Sequence, residues 1–181
     1  MSENQMDHLF SGEDDPAKVP AEAGPCDAMR DPLTGLYNQD AFDLLLKDSD
    51  QAHIAILVAE IDDFNILQQQ HGEEVGGRAV QLAADMLRAS FRPVDSVCRI
   101  RRSGFAVIMA RVNSSLSKLV SDKMRQINDK LQNHGVSLPP LSLSVGVAFS
   151  DRQNPHEDIY RDANTALLRM REQQRRGCAI Y

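Results

Sequence analysis

Apolar residues fall in short blocks along the chain, and the period changes from block to block. HIAILVAEI (53–61) is β-branched and apolar at almost every position, which predicts a central strand covered on both faces. VCRI (97–100) and FAVIMA (105–110) are two more apolar runs, joined by Arg101-Arg102-Ser103-Gly104, whose Ser-Gly step suits a hairpin turn. LSLSVGVAF (141–149) and the terminal CAIY complete five strand-like segments. Between them the apolar positions recur at helical spacing. A first helix starts near Gln39, capped by Asn38, with Phe42, Leu44, Leu45 and Leu46 on roughly one side. DFNILQQQ (63–70) predicts a short helix leading through His71-Gly72 into a longer one. That one carries Ala79, Leu82, Ala83, Met86 and Leu87 as its apolar stripe and ends near Phe91, ahead of Pro93. A helix over 114–132 is capped by Ser114 or Ser115 and turns Leu116, Leu119, Val120, Ile127 and Leu131 inward, with Gly135 just beyond its end. A last helix over 156–174 places Ile159, Ala163, Ala166, Leu167 and Met170 on one face. Adjacent hairpin strands mixed with crossover helices imply a sheet packed by helices on its faces.

Charge changes this picture at the N-terminus. Residues 1–30 hold seven acids against Lys18 and Arg30, carry Pro16, Pro20 and Pro25, and have few large apolar residues. This composition predicts a mostly disordered acidic tail ahead of one domain over 31–181. Leu9-Phe10 is the tail's bulky apolar pair and its candidate docking point. The body is nearly neutral, with 19 acids and 18 bases, so there is no electrostatic case for nucleic-acid binding. No apolar run reaches membrane-spanning length, and the start lacks the apolar core of a secretory signal. Cys26, Cys98 and Cys178 are far apart and outside metal spacing, which fits a reducing cytoplasm.

Three groups of residues invite a chemical reading. Glu60, Asp62 and Asp63 end the buried strand, where carboxylates mark a site or cap the next helix. Arg92 and Asp95 flank Pro93-Val94. A guanidinium can pair two-pronged with a phosphate or a guanine edge, a carboxylate can accept from guanine N1 and N2, and the proline fixes one dihedral between them. The plainer reading is a salt bridge at a helix end. Arg99, Arg101 and Arg102 suit an anion or a solvated hairpin tip. The five histidines show no ligand spacing, and Met86, Met109, Met124 and Met170 read as core filler.

Together these segments resemble the GGDEF domain, the catalytic domain of diguanylate cyclases. DPLTGLYN (31–38) is similar to the family's D-x-L-T-G-L-x-N, and EIDDFNILQQQHGEEVGG (60–77) to its D-x-D-x-F-K motif with the following helix. RIRRSGF (99–105) lies where R-x-G-G-D-E-F belongs, LSVGVA matches S-x-G-x-A, and ANTALLRMREQQRRG resembles the C-terminal motif. The resemblance covers about residues 31–181. It implies an α/β (α+β) fold with a central mixed, mainly antiparallel five-stranded sheet flanked by helices.

The family condenses two GTP molecules into cyclic di-GMP with divalent cations held by carboxylates. By that resemblance Glu60 takes the place of the strand Asp that holds the metal. Ser103 and Gly104 take the places of the two hairpin acids, and Arg101 and Arg102 those of the two glycines. Asn65, Gln68 and Gly77 depart from the family's Lys, Asn and Asp, and Arg171 stands for its phosphate-contacting Lys. The expectation is therefore a chain that is not an enzyme, with no catalytic residues, no cofactor and no metal. Glu60 is the one candidate ligand, and magnesium enters only with residual nucleotide binding.

RPVD (92–95) sits where the family's R-x-x-D forms the inhibitory product site. The resemblance thus implies cyclic di-GMP as ligand of Arg92 and Asp95, with Lys123 as a second cation. The domain would act as a cytoplasmic, membrane-free receptor that regulates an unidentified protein partner, and an intercalated ligand would cross-link two copies into a homodimer. The alternatives are a protein-interaction module that binds no ligand, and a weak cyclase or GTP binder using Glu60.

Overall fold

The computed structural model describes residues 28–135, 137–155, 158–173 and 175–181. The acidic tail ahead of residue 28, Cys26 within it, and the outer ends of the last expected helix at His156 and Gln174 lie outside the described residues.

Asn38 opens helix α1 (Gln39–Asp48), its side-chain oxygen accepting from the Ala41 N–H at 3.0 Å. Strand β1 (Ile54–Ile61) follows, then helix α2 (Phe64–Ser90). Gly72 breaks α2 with φ +88°, so the expected short and long helices are two arms of one kinked helix. Strands β2 (Ser96–Arg99) and β3 (Gly104–Ala110) form the hairpin. A 3₁₀ turn (Ser114–Leu116) leads into helix α3 (Ser117–Gln132), strand β4 (Leu143–Phe149), helix α4 (Ile159–Glu172) and strand β5 (Cys178–Ile180).

The sheet order is β2-β3-β1-β4-β5. β1 is antiparallel to both β3 and β4, and only β5 runs parallel to its neighbour. The expected mixed, mainly antiparallel five-stranded sheet is borne out. β1 shows why its sequence is apolar throughout. Ala55, Leu57, Ala59 and Ile61 enter the core shared with α2 and α3, while Ile54, Ile56 and Val58 enter the core shared with α1 and α4. β4 and α4 approach closely at Gly146, where an added Cβ would lie 2.1 Å from the Ala163 carbonyl oxygen.

Three local expectations are corrected. Leu119 is 60% exposed rather than inward, because Val120, Met124, Ile127 and Leu131 already fill the buried stripe of α3. Leu44 of α1 is 49% exposed for the same reason, with Phe42 taking the buried position. The cap ahead of α3 is Asn113, which accepts from the Ser115 N–H and Oγ, rather than Ser114 or Ser115. Ser114 turns instead to the Asp151 carboxylate.

Candidate functional site

The hairpin turn closes on backbone hydrogen bonds, with the Ile100 and Arg101 N–H groups donating to the Gly104 carbonyl at 3.0 and 3.2 Å. The Ile61 N–H donates to the Ser103 carbonyl at 3.0 Å, and Glu60 lies in register with Gly104. The fold therefore brings together the strand end and hairpin tip that the sequence singled out. Glu60, Asn65, Arg102, Ser103 and Arg171 line one cavity of about 330 Å³. Within it Arg171 pairs with Glu60, while Arg176 of a neighbouring cavity donates to Asp63 at 2.5 Å. Asp62, one residue past β1, accepts from the Ser142 and Ser144 hydroxyls at 2.6 Å each, which makes it a brace between strands.

The three hairpin arginines separate. Arg99 leaves the tip and binds Asp31 through Nη1 at 3.0 and 3.1 Å, while its Nη2 donates to the Arg102 carbonyl. Arg101 reaches α4, donating to the Tyr160 hydroxyl at 3.0 Å and to Asn164 Oδ1 at 3.3 Å. Arg102 stays in the cleft, 3.8 Å from Glu73. Gln68 folds against Gly76, whose added Cβ would sit 2.6 Å from its Nε2, whereas Gly77 faces open space.

The contacts of Asp31, Asp62 and Arg176 were missed by sequence reasoning. Asp31 carried a signal, since it opens the DPLTGLYN motif. Its carboxylate accepts from the Thr34 N–H and Oγ1 at 2.9 and 2.7 Å as well as from Arg99. Burial pushes the Asp31 carboxyl up, but the Thr34 and Arg99 donors outweigh burial and leave it below its ordinary value of 3.8.

Magnesium requires a tight octahedron of hard oxygen donors. Glu60 faces a guanidinium, Asp63 faces another, Asp62 holds two hydroxyls and Ser103 is neutral. Among the described residues no group of three His, Cys, Asp or Glu side chains could hold a metal ion.

The Arg92–Asp95 arm lies between the end of α2 and the start of β2. Arg92 Nε and Nη2 donate two-pronged to Asp95 at 3.0 and 2.7 Å, and Nη2 also donates to the Ala110 carbonyl at 2.7 Å. Asp95 accepts in addition from the Arg92 and Ala110 N–H groups at 3.0 and 3.2 Å. The arginine side chain is 50% exposed and the aspartate 3%. The hydrogen bond to Asp95 raises the Arg92 pKa further above its ordinary value, so the guanidinium stays charged. Lys123 of α3 reaches the same end of α2, donating to the Ser90 carbonyl at 2.6 Å with its Nζ 5.4 Å from the Phe91 ring centroid.

Comparison with known proteins places this geometry in context. The family model described as "Diguanylate cyclase, GGDEF domain" matches residues 28–177. The chain is 26% identical to the probable diguanylate cyclase DgcT of Escherichia coli K12 over 162 residues, covering 84% of this chain and 36% of that protein. It is also 26% identical to the diguanylate cyclase DgcS of Shewanella oneidensis over 146 residues, covering 77% of this chain and 48% of that protein. The chain thus spans between about a third and a half of these relatives. Its fold is similar to the GGDEF domain of DgcB from Caulobacter crescentus, solved in complex with c-di-GMP. That match has a TM-score of 0.70 and 22% identity, covering 85% of this chain and 96% of that one. It is similar also to the diguanylate cyclase SiaD of Pseudomonas aeruginosa, solved with its activator SiaC, at a TM-score of 0.73 and 20% identity, covering 85% and 62%.

One expectation from sequence is corrected by these matches. The chain was expected not to be an enzyme, yet the relatives that cover 77% and 84% of it carry diguanylate cyclase names. Phosphoryl transfer draws on positioning and on several separate electrostatic contacts, so the neutral Ser103 and Gly104 do not decide the matter alone. No helix among the described residues is long and apolar enough to cross a membrane. With most of its length matched by one family model, the chain belongs to the GGDEF-domain family.

Proposed function

We propose that this domain binds cyclic di-GMP at the Arg92–Asp95 arm and passes the ligand state to a protein partner. One observation carries the reading: the two-pronged Arg92–Asp95 pair, with a half-exposed guanidinium over a buried carboxylate. The Watson–Crick edge of guanine presents N1–H and N2–H as a planar pair of donors, the same pattern as the guanidinium fork. A guanine that takes the place of Arg92 on Asp95 leaves no acceptor of that carboxylate unpaired. The released guanidinium then pairs with a phosphate of the same ligand. Lys123, tied to the same end of α2, adds a second cation. Membership of the family supports the reading, as do solved GGDEF domains in complex with c-di-GMP.

Calorimetric titration of cyclic di-GMP tests it. Wild type is expected to bind in the micromolar range. Arg92→Ala and Asp95→Asn are each expected to weaken binding about tenfold or more, which corresponds to the loss of a charge-assisted pair. Absence of binding by the wild type, or wild-type affinity in both variants, overturns the proposal.

A further inference from the structure

We propose a second small-molecule site, for a planar organic anion, between α4 and β5. A cavity of about 520 Å³ opens there, larger than the strand-end cleft and within the size range of small-molecule pockets. It shares only Arg175 with the cavity around Asp62 and Asp63, and nothing with the Arg92–Asp95 arm.

Its lining has two parts. The buried side chains of Ala166 and Met170, with Ala179 of β5, give an apolar wall, and a thioether beside an aromatic ring is a favourable contact. At the mouth stand Arg169 and Arg175, both exposed. Neither guanidinium has an ion-pair or hydrogen-bond partner among the described residues, whereas Arg92, Arg99, Arg101, Arg152, Arg171 and Arg176 are all engaged. Two unengaged forks on one rim match a carboxylate, sulfonate or phosphate.

The rim is closed by the Tyr181 hydroxyl, which donates to the Asn154 carbonyl at 3.5 Å. Asn154 itself holds φ +49°, a left-handed conformation that asparagine tolerates better than most residues. Three features oppose an anion here: the exposed Glu172, the carbonyl end of α4, and the terminal carboxylate of Tyr181, whose single charge the two guanidinium forks outnumber. Glu172 does not line the cavity, and the carbonyls of Arg169 and Met170 already accept from the Gln173 and Arg175 N–H groups. The site therefore selects a flat apolar body that carries one acidic group. A cationic ligand meets two guanidinium groups there, and a ligand without an acidic group leaves both of them unpaired.

The test titrates naphthalene-2-sulfonate into the full chain, reading affinity by calorimetry and location by backbone amide shifts, with 2-naphthalenemethanol as the neutral counterpart. Saturable one-site binding is expected, with shifts centred on α4 and β5. Arg169→Gln and Arg175→Gln should each weaken it about tenfold, and the alcohol should bind more weakly by a similar factor. Arg111→Gln, an exposed arginine elsewhere, should change nothing. An unaltered amide spectrum away from the site shows that each variant folds. Absence of saturable binding overturns the proposal. So does affinity that is indifferent to both cavity arginines, or an equal loss on Arg111→Gln.

Discussion

Asp31 makes contacts with Thr34, three residues on, and with Arg99, 68 residues on. It therefore fastens the segment that enters the domain to the base of the hairpin. Asp31→Asn keeps the shape but removes the charge from a pair whose side chains are only about 15% exposed. The expected cost is about 2 kcal/mol at neutral pH. The sign with pH follows from the lowered carboxyl. Its stabilisation is fully present above the ordinary value of 3.8 and is lost as pH falls through the lower folded value. Denaturant midpoints of wild type and variant should differ at neutral pH and converge in strong acid, and a gap that persists in acid refutes this account. The pairing of Arg92 with Asp95 was legible in the sequence as the plainer of its two readings, a salt bridge at a helix end, because the two residues lie three apart. Arg99 was read as part of the tip because its partner lies across the fold, where no local spacing points to it.

At the scale of elements, β1 and β3 were the most legible strands because near-complete burial leaves an almost unbroken apolar run. The helices were legible only as far as one stripe. Leu119 and Leu44 fit a helical period, yet the period does not say which of several leucines the neighbouring element leaves uncovered. The tight crossing of β4 and α4 left a single trace in the sequence, Gly146. An alanine there would press on the Ala163 carbonyl and the Leu167 N–H at 2.1 and 2.5 Å, and both are backbone atoms that cannot swing aside. Gly146→Ala is expected to destabilise by about 3 kcal/mol through this overpacking, read as a lower denaturant midpoint. Unchanged stability would mean that α4 can lift off the sheet.

For the whole molecule, the two cores share one sheet, so the fold is expected to unfold as a single cooperative unit. Cys98 reports on it from inside the layer shared with α1 and α4, where burial raises its thiol pKa from 9.0 to about 12. The thiol is therefore protonated and shielded across the physiological range. Its alkylation should follow global unfolding, rising with denaturant along the same transition as the loss of secondary structure. Above the ordinary thiol value of 9.0 the unfolded chain ionises first, so stability falls as pH rises toward 12. Fast alkylation under native conditions would show local opening of β2 instead.

The central place of β1 has a further consequence for how the protein is made. Its partner on one edge is β3 and on the other β4, so Ala55 waits for Met109 and then for Phe149 before both of its edges are paired. On a ribosome that adds about 5–20 residues per second, the most apolar segment of the chain has an open edge for on the order of 5–20 s. The nascent chain is thus most prone to aggregate in the interval between its first strand and its fourth.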